Sequence, residues 1–211
     1  MANTLELTVR KASAWSRPPR TLVEAFKAFP VANIGDAMER LGMVDAGISA
    51  IWDGAAAVGT ALPVLGAAGD NAAVIEALDH IQPGDMVVIN GFGHRERALV
   101  GEQLSQRFAA AGAVGAVIDG CIRDKKTITE IRFPVFARGT TPAGPFKNGP
   151  GVIGEPVAVG GIVVAPGDIV AADGDGVIVI PQARAEEILT RVIAVAEHEA
   201  EMTAEVSKAY S

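Results

Sequence analysis

The stretch Ala113-Val114-Gly115-Ala116-Val117-Ile118 has the length of a β-strand and no polar residue on either face. A strand of that kind must be covered on both sides, which is the position of a central strand in an α/β sheet. It follows a segment, 97–111, whose apolar residues Val100, Leu104, Phe108 and Ala111 recur at helical spacing, and Gly112 closes that segment. Before it, the turn Pro83-Gly84-Asp85 leads into a second apolar run, Met86–Ile89. Strand, helix, strand in this order predicts a sheet with helices on at least one face.

The flanks fill in the rest. Residues 1–20 are polar, end in Arg17-Pro18-Pro19-Arg20 and read as a loosely held arm. Thr21-Leu22-Val23-Glu24 has the form of a capping box, and Asn33 is placed to cap a second helix with apolar stripe Ile34, Ala37, Met38 and Leu41. Gly69-Asp70-Asn71 precedes a helix through Ala77 and Leu78. Asp119-Gly120 ends the buried strand, and 133–138 forms another short one. From residue 151 onward, apolar runs at 152–153, 157–159, 162–164, 169–171 and 177–180 alternate with Gly, Pro and Asp turns. One long helix, 183–208, closes the chain. The expectation is a single α/β domain over residues 1–211, with a β-rich back half and a helical tail.

Composition narrows the function. At 211 residues, 49% hydrophobic and 20% charged, the chain can bury a core. A net charge of −7 argues against nucleic-acid or anionic-membrane binding, both of which need a basic surface. An anionic substrate then requires a local cationic pocket. The lone Cys121 excludes an intrachain disulfide and a thiolate zinc cluster, and is best read as a small buried filler. The N-terminus lacks an apolar signal core, and the stretch 55–69 is too short and too broken to span a bilayer, so a soluble cytoplasmic protein is expected. There is no Walker A loop, no G-x-S-x-G elbow and no third glycine after Gly91-Phe92-Gly93. His80, His94 and His198 lack zinc spacing, and Asp173-Gly174-Asp175-Gly176 is a strand-connecting turn rather than a calcium loop.

Three places remain for chemistry. Arg123-Asp124 follows the buried strand, where ligands of open α/β sheets gather. Arg can fork onto a carboxylate, and Asp is a hard ligand for Mg²⁺; the alternative is a surface salt bridge. Gly101-Glu102 stands near a helix start, where exposed amides of Gln103 and Leu104 can hold an anion; alternatively Gly101 only permits close packing. In the tail, Val192, Val195, Glu199, Met202 and Val206 form one stripe with a carboxylate inside it. Glu199 is then either a structural ion pair or a carboxylate delivered to a site, including a neighbour's.

Glu102, twenty residues, then Arg123-Asp124 resembles the D/E-x20-R-D signature of metal-dependent pyruvate aldolases of the RraA-like family, such as 4-hydroxy-4-methyl-2-oxoglutarate and 4-carboxy-4-hydroxy-2-oxoadipate aldolases. Gly69-Asp70-Asn71, Pro83-Gly84-Asp85, Phe136–Gly139, Lys147 and Gly160–Asp168 are similar to family segments as well. The similarity runs from about Asn33 to Glu199. It implies a swivelling-type β/β/α sandwich with a long C-terminal interface helix, and trimers or hexamers with active sites between subunits. It further implies that Asp124 binds Mg²⁺ or Mn²⁺ and that Arg123 holds the substrate and its developing anion. Glu102 would hydrogen-bond water at the metal, the amides of Gln103 and Leu104 would hold the pyruvate carboxylate, and Glu199 would come from the adjacent chain. Gly101, Asn71 and Lys147 would line the substrate pocket. Val100 stands where the family often has an aromatic, and the preceding loop carries His94-Arg95-Glu96-Arg97; both bear on distal substrate specificity.

The reaction so implied is retro-aldol cleavage of a 4-hydroxy-2-oxo acid to pyruvate, with oxaloacetate decarboxylation as a side activity. A Schiff-base aldolase would need a desolvated lysine, and Lys125, Lys126 and Lys147 all sit among polar, Gly or Pro residues. A non-catalytic inhibitor of a ribonuclease, as RraA itself is, would share the fold and have no use for Glu102 with Arg123-Asp124. A menaquinone methyltransferase finds no S-adenosylmethionine glycine loop here.

Overall fold

The structure, a computed structural model, describes residues 8–209. Its centre is four adjacent parallel strands: β3 (Ala57–Gly66), β4 (Asp85–Val100), β5 (Gly115–Ile122) and β6 (Val135–Thr140). β1 (Val9–Lys11) pairs in parallel with β7 (Gly151–Ile153), which runs antiparallel to the end of β3. β2 (Ser49–Ala50) closes the other edge on β6. The start of β3 pairs antiparallel with β10 (Ile169–Asp173), itself in a hairpin with β11 (Gly176–Ile180). β8 (Val157–Val159) and β9 (Ile162–Val164) form a separate hairpin.

The two-residue alternation of the central strands explains the layers. Val87, Ile89, Ala116 and Ile118 pack under α3 (Ala72–Glu76), α4 (Glu102–Ala111) and α5 (Lys125–Glu130), contributing with Val74, Phe108 and Ile128 to one core. Met86, Val88 and Val117 point the other way, onto Val157, Val159, Val164, Val170 and Val179. Ile169, Ala171, Ile178 and Ile180 leave the back of the β10–β11 hairpin to bury α1 (Arg20–Ala25), α2 (Val31–Ala37) and the start of α6 (Ala185–Ala209). The expected β/β/α sandwich with a long C-terminal helix is thus present, and β5 is covered on both faces. Among the described residues no helix is long and apolar enough to cross a membrane.

Several local expectations are corrected. Residues 97–100 are not helical: Ala98 and Val100 pair with Cys121 and Ile122, and α4 begins only at Glu102, because Gly101 is extended (φ −139°). Asp119-Gly120 does not end β5, which continues to Ile122. Neither Thr21 nor Asn33 caps a helix. Pro19 and Pro30 hold those positions, and their fixed φ suits a helix entry. Instead Glu24 pairs with Arg20 one turn back. The tail helix starts at Ala185, with residues 183–184 in a preceding 3₁₀ turn.

The arm is not loose over its described residues. Beyond the β1–β7 pairing, the Ala12 N–H donates to the Ile153 carbonyl at 2.9 Å. Arg17 forks onto Asp85, Nε to Oδ1 at 2.8 Å and Nη2 to Oδ2 at 2.7 Å, with its guanidinium 5.1 Å from the Trp15 ring centroid. The Asp85 side chain is 1% exposed. Arg17→Ala leaves that carboxylate buried without its cation, so a loss of about 3–5 kcal/mol is expected in equilibrium urea unfolding. A loss under about 1 kcal/mol would show that the arm does not clamp the sheet.

Candidate functional site

The parallel strands β3 to β6 end on the same side of the sheet, and each hands its following residues to one cavity of about 140 Å³. After β3 comes Asn71; after β4, Gly101, Gln103, Leu104 and Arg107; after β5, Arg123 and Asp124; after β6, Pro145 and Lys147. β4 reaches this level by a detour. It spends sixteen residues against the eight of β5, shifting register between Asn90 and Val100 by bulges on either side of a pairing of His94 with Gly120. Register returns with Val100 opposite Ile122, so Gly101 and Arg123 leave neighbouring strands side by side.

Asp124 has φ +58°, a left-handed conformation that Asp tolerates better than most residues and that still costs of order 1 kcal/mol. It turns the carboxylate back to the start of α4, where Oδ2 accepts the Glu102 N–H at 3.2 Å and lies 3.4 Å from Arg123 Nε. Gly101 makes this approach possible. A Cβ there would stand 2.6 Å from Asp124 Oδ2 and 3.0 Å from Arg123 Cγ. The packing and the site readings of Gly101 therefore merge: the close contact is with Asp124 itself. In α4 the first intrahelical bond is Ser105 N–H to the Gly101 carbonyl at 3.0 Å, which leaves the earlier amides of Gln103 and Leu104 without intrahelical acceptors. Both residues line the cavity.

Asn71 is 5% exposed. Its Nδ2 donates to the Leu99 carbonyl at 3.0 Å, and its Oδ1 is buried with no partner among the described residues. Glu102 contributes its amide, while its carboxylate accepts a 3.2 Å bond from Gln106 Nε2. On the far side of Arg123 and Asp124 a second hollow of about 410 Å³ is lined by Lys125, Thr140, Thr141 and Pro142.

Arg107 is a cavity residue that the sequence reading missed; it lies one helical turn from Gln103 on the same face of α4, a spacing that was there to be used. Asp119 was passed over as a strand end. It is a nearly buried carboxylate that accepts from Arg138 Nε and from the Gly160 N–H at 2.9 Å. The bond from Asp119 raises the Arg138 pKa, fixing its charge between β5, β6 and the β8–β9 turn. Burial pushes the Cys121 thiol upward, which fits the filler reading and leaves no nucleophilic thiolate. None of the three histidines lines the cavity.

Glu199 is not at this chain's cavity. It is exposed on α6, and Oε2 accepts a 2.6 Å bond from Asn33 Nδ2. Of its stripe, Val192 is buried, while Met202 and Val206 are more than half exposed. A larger groove of about 610 Å³ runs past Lys27, Phe29, Val58 and Asp173. It gathers no convergent polar groups, since Asp173 is already bonded to the amides of Val31 and Asp175.

A carboxylate in a cavity walled by Arg107, Arg123 and Lys147 suits an anion held beside a hard cation. Among the described residues no three His, Cys, Asp or Glu side chains cluster as a metal cage. Asp124 fits the other arrangement, one carboxylate with the remaining positions left to water and substrate oxygens.

Comparison with known proteins identifies the family. A protein of Halalkalibacterium halodurans, provisionally named a 4-hydroxy-4-methyl-2-oxoglutarate aldolase, is 37% identical over 169 residues, 80% of either chain. An uncharacterised protein of Pseudomonas syringae pv. tomato superposes with a TM-score of 0.82 at 25% identity, over 92% of this chain and 96% of that one. RraAS2 of Streptomyces coelicolor, described as an unusual member of the RNase ES inhibitor RraA family, gives 0.77 at 28% identity, over 92% and 100%. The RraA-like family model (Aldolase/RraA) matches residues 31–179. The chain therefore belongs to the RraA-like family.

Proposed function

We propose that this protein is a cytoplasmic, divalent-metal-dependent pyruvate aldolase acting on 4-hydroxy-2-oxo acids of the 4-hydroxy-4-methyl-2-oxoglutarate kind. The observation that carries the reading is the seat of Asp124: a left-handed carboxylate, pressed into the space that Gly101 leaves, beside Arg123 at the mouth of a cationic cavity. A surface that only docks another protein has no need of that strain. The aldolase name of the Halalkalibacterium relative supports the same class of reaction.

Asp124 would hold Mg²⁺ or Mn²⁺, which supplies Lewis-acid polarisation of the 2-oxo group. The amides of Gln103 and Leu104 receive the substrate's 1-carboxylate. A water held by the Glu102 carboxylate relays the 4-hydroxyl proton to that carboxylate, which later returns a proton through water. The C3–C4 bond then breaks, its electron pair passes to C3 and the 2-oxo oxygen, and the 4-carbon leaves as a carbonyl. Arg123 faces the enolate charge, and a proton from water at C3 gives pyruvate. Lys147, Arg107 and Asn71 take the polar far end. Oxaloacetate, losing CO₂, passes through the same enolate and is a side substrate.

The test is pyruvate release from a panel of 4-hydroxy-2-oxo acids and oxaloacetate. EDTA should abolish it, and Mg²⁺ or Mn²⁺ should restore it. Full activity after exhaustive chelation would overturn the metal assignment and favour a lysine mechanism, detectable by borohydride trapping. No release from any member would favour the inhibitor reading that the Streptomyces neighbour's name suggests.

The exposed end of the α6 stripe supports a homo-oligomer, trimer or hexamer, in which Glu199 completes a neighbour's site. Mixing inactive Glu199→Ala and Asp124→Ala protomers should then regenerate activity once subunits exchange. Mixed oligomers confirmed by mass yet inactive would confine Glu199 to its own chain.

A further inference from the structure

Asp70 is 4% exposed, and the bonds found for it come from backbone amides rather than a cation. Oδ1 accepts the Ala72 N–H at 2.8 Å; Oδ2 accepts those of Asn148 at 2.9 Å and Gly149 at 2.8 Å. A turn-forming Asp needs only the first of these. The other two cross seventy-eight and seventy-nine positions of sequence to a loop that lies between β6 and β7.

That loop carries Lys147, and both of its neighbours are fixed. Phe146 exchanges backbone bonds with the other segment, its N–H donating to Gly69 at 2.9 Å and its carbonyl accepting from Asn71 at 3.0 Å. The Arg97 guanidinium lies 4.0 Å from the Phe146 ring centroid. Asn148 is fixed by Asp70. The contact is tight, since a Cβ on Gly149 would stand 2.7 Å from Asp70 Cγ. Lys147 itself is exposed and lines the cavity, as does the Asn71 that adjoins Asp70 in sequence.

We infer that Asp70 is a positioning residue: its carboxylate sets where Lys147 stands on the cavity wall, and so sets the affinity for the substrate's anionic far end. The inference rests on the aldolase reading for the identity of that substrate, and not for the placement of the loop.

A flexible ammonium that binds substrate and transition state alike affects KM rather than kcat. Asp70→Asn, which keeps the shape and loses the charge that draws two amides, should raise KM for a dicarboxylic 4-hydroxy-2-oxo acid about tenfold and change kcat less than about twofold. In a Lys147→Ala background the same change should add less than about twofold, because a residue that acts through Lys147 has nothing left to move. Gly149→Ala approaches the contact from the loop side and should reproduce both results. Multiplying effects of Asp70→Asn and Lys147→Ala, or an equal fall in kcat, would overturn the proposal. Hydrogen exchange decides the placement without any reaction: Asp70→Asn should speed exchange at the amides of Asn148 and Gly149 while the β3–β6 amides stay protected. Unchanged exchange there overturns the inference even in an active aldolase, whereas faster exchange in a protein that cleaves no 2-oxo acid sinks the aldolase reading alone.

Discussion

Arg123→Lys is expected to lower kcat by about a hundred- to a thousandfold while the protein folds normally. Arg123 leaves the end of β5 with its side chain 45% exposed, so it contributes little to the core. Its Nε lies 3.4 Å from Asp124 Oδ2, which puts the guanidinium beside the carboxylate. A planar fork of donors can face the carboxylate and the incipient enolate oxygen together; an ammonium on a flexible stem is a single point and must choose. The charge is kept, so a loss of rate would report geometry. Steady-state pyruvate release with saturating metal, beside a thermal melt, checks the result. A near-wild-type rate would return Arg123 to a surface ion pair with Asp124.

Gly101→Ala should be as damaging with one methyl group. At φ −139° and ψ −167° an alanine is unstrained, so the backbone does not require glycine here. The space does. The new Cβ would lie 2.6 Å from Asp124 Oδ2, which has to move, and 3.1 Å from Arg123 Nε, which has to give by a few tenths of an ångström. Reactive groups displaced by about an ångström lose on the order of a hundredfold in rate. The substitution removes no core contact, so the melting temperature should move by no more than a few degrees. Wild-type activity would mean that the Asp124 orientation seen here is not the one chemistry uses.

Much of the fold was legible because it rests on short-range pattern. The apolar run at 113–118 announced a strand covered on both faces, and the five runs after residue 151 all became strands. What failed depended on partners distant in sequence. Residues 97–100 have helical spacing, yet pairing with Cys121 and Ile122 made them strand. The polar arm looked free because Asp85, its counter-ion, lies 68 residues on. At the site, Gly101, Gln103, Leu104, Asn71, Arg123, Asp124 and Lys147, named from local pattern or from the family resemblance, line one cavity, while Glu102 and Glu199 do not. Arg107 and the buried role of Asp119 went unseen: an Arg on a helix resembles any solvated charge, and no local pattern marks an in-strand Asp whose partners are Arg138 and Gly160.

The detour in β4 is insulated from the reaction centre. Between Asn90 and Ala98 the strand bulges away from β5 except where His94 pairs with Gly120, and it is back in step before Gly101. Arg97 is tied to the Gly144 carbonyl at 2.7 Å and Ala98 to that of Ala143 at 2.8 Å, so the return limb has moorings of its own. Lengthening or shortening the detour therefore leaves Gly101, Arg123 and Asp124 in place, because the strand is anchored again before it reaches them.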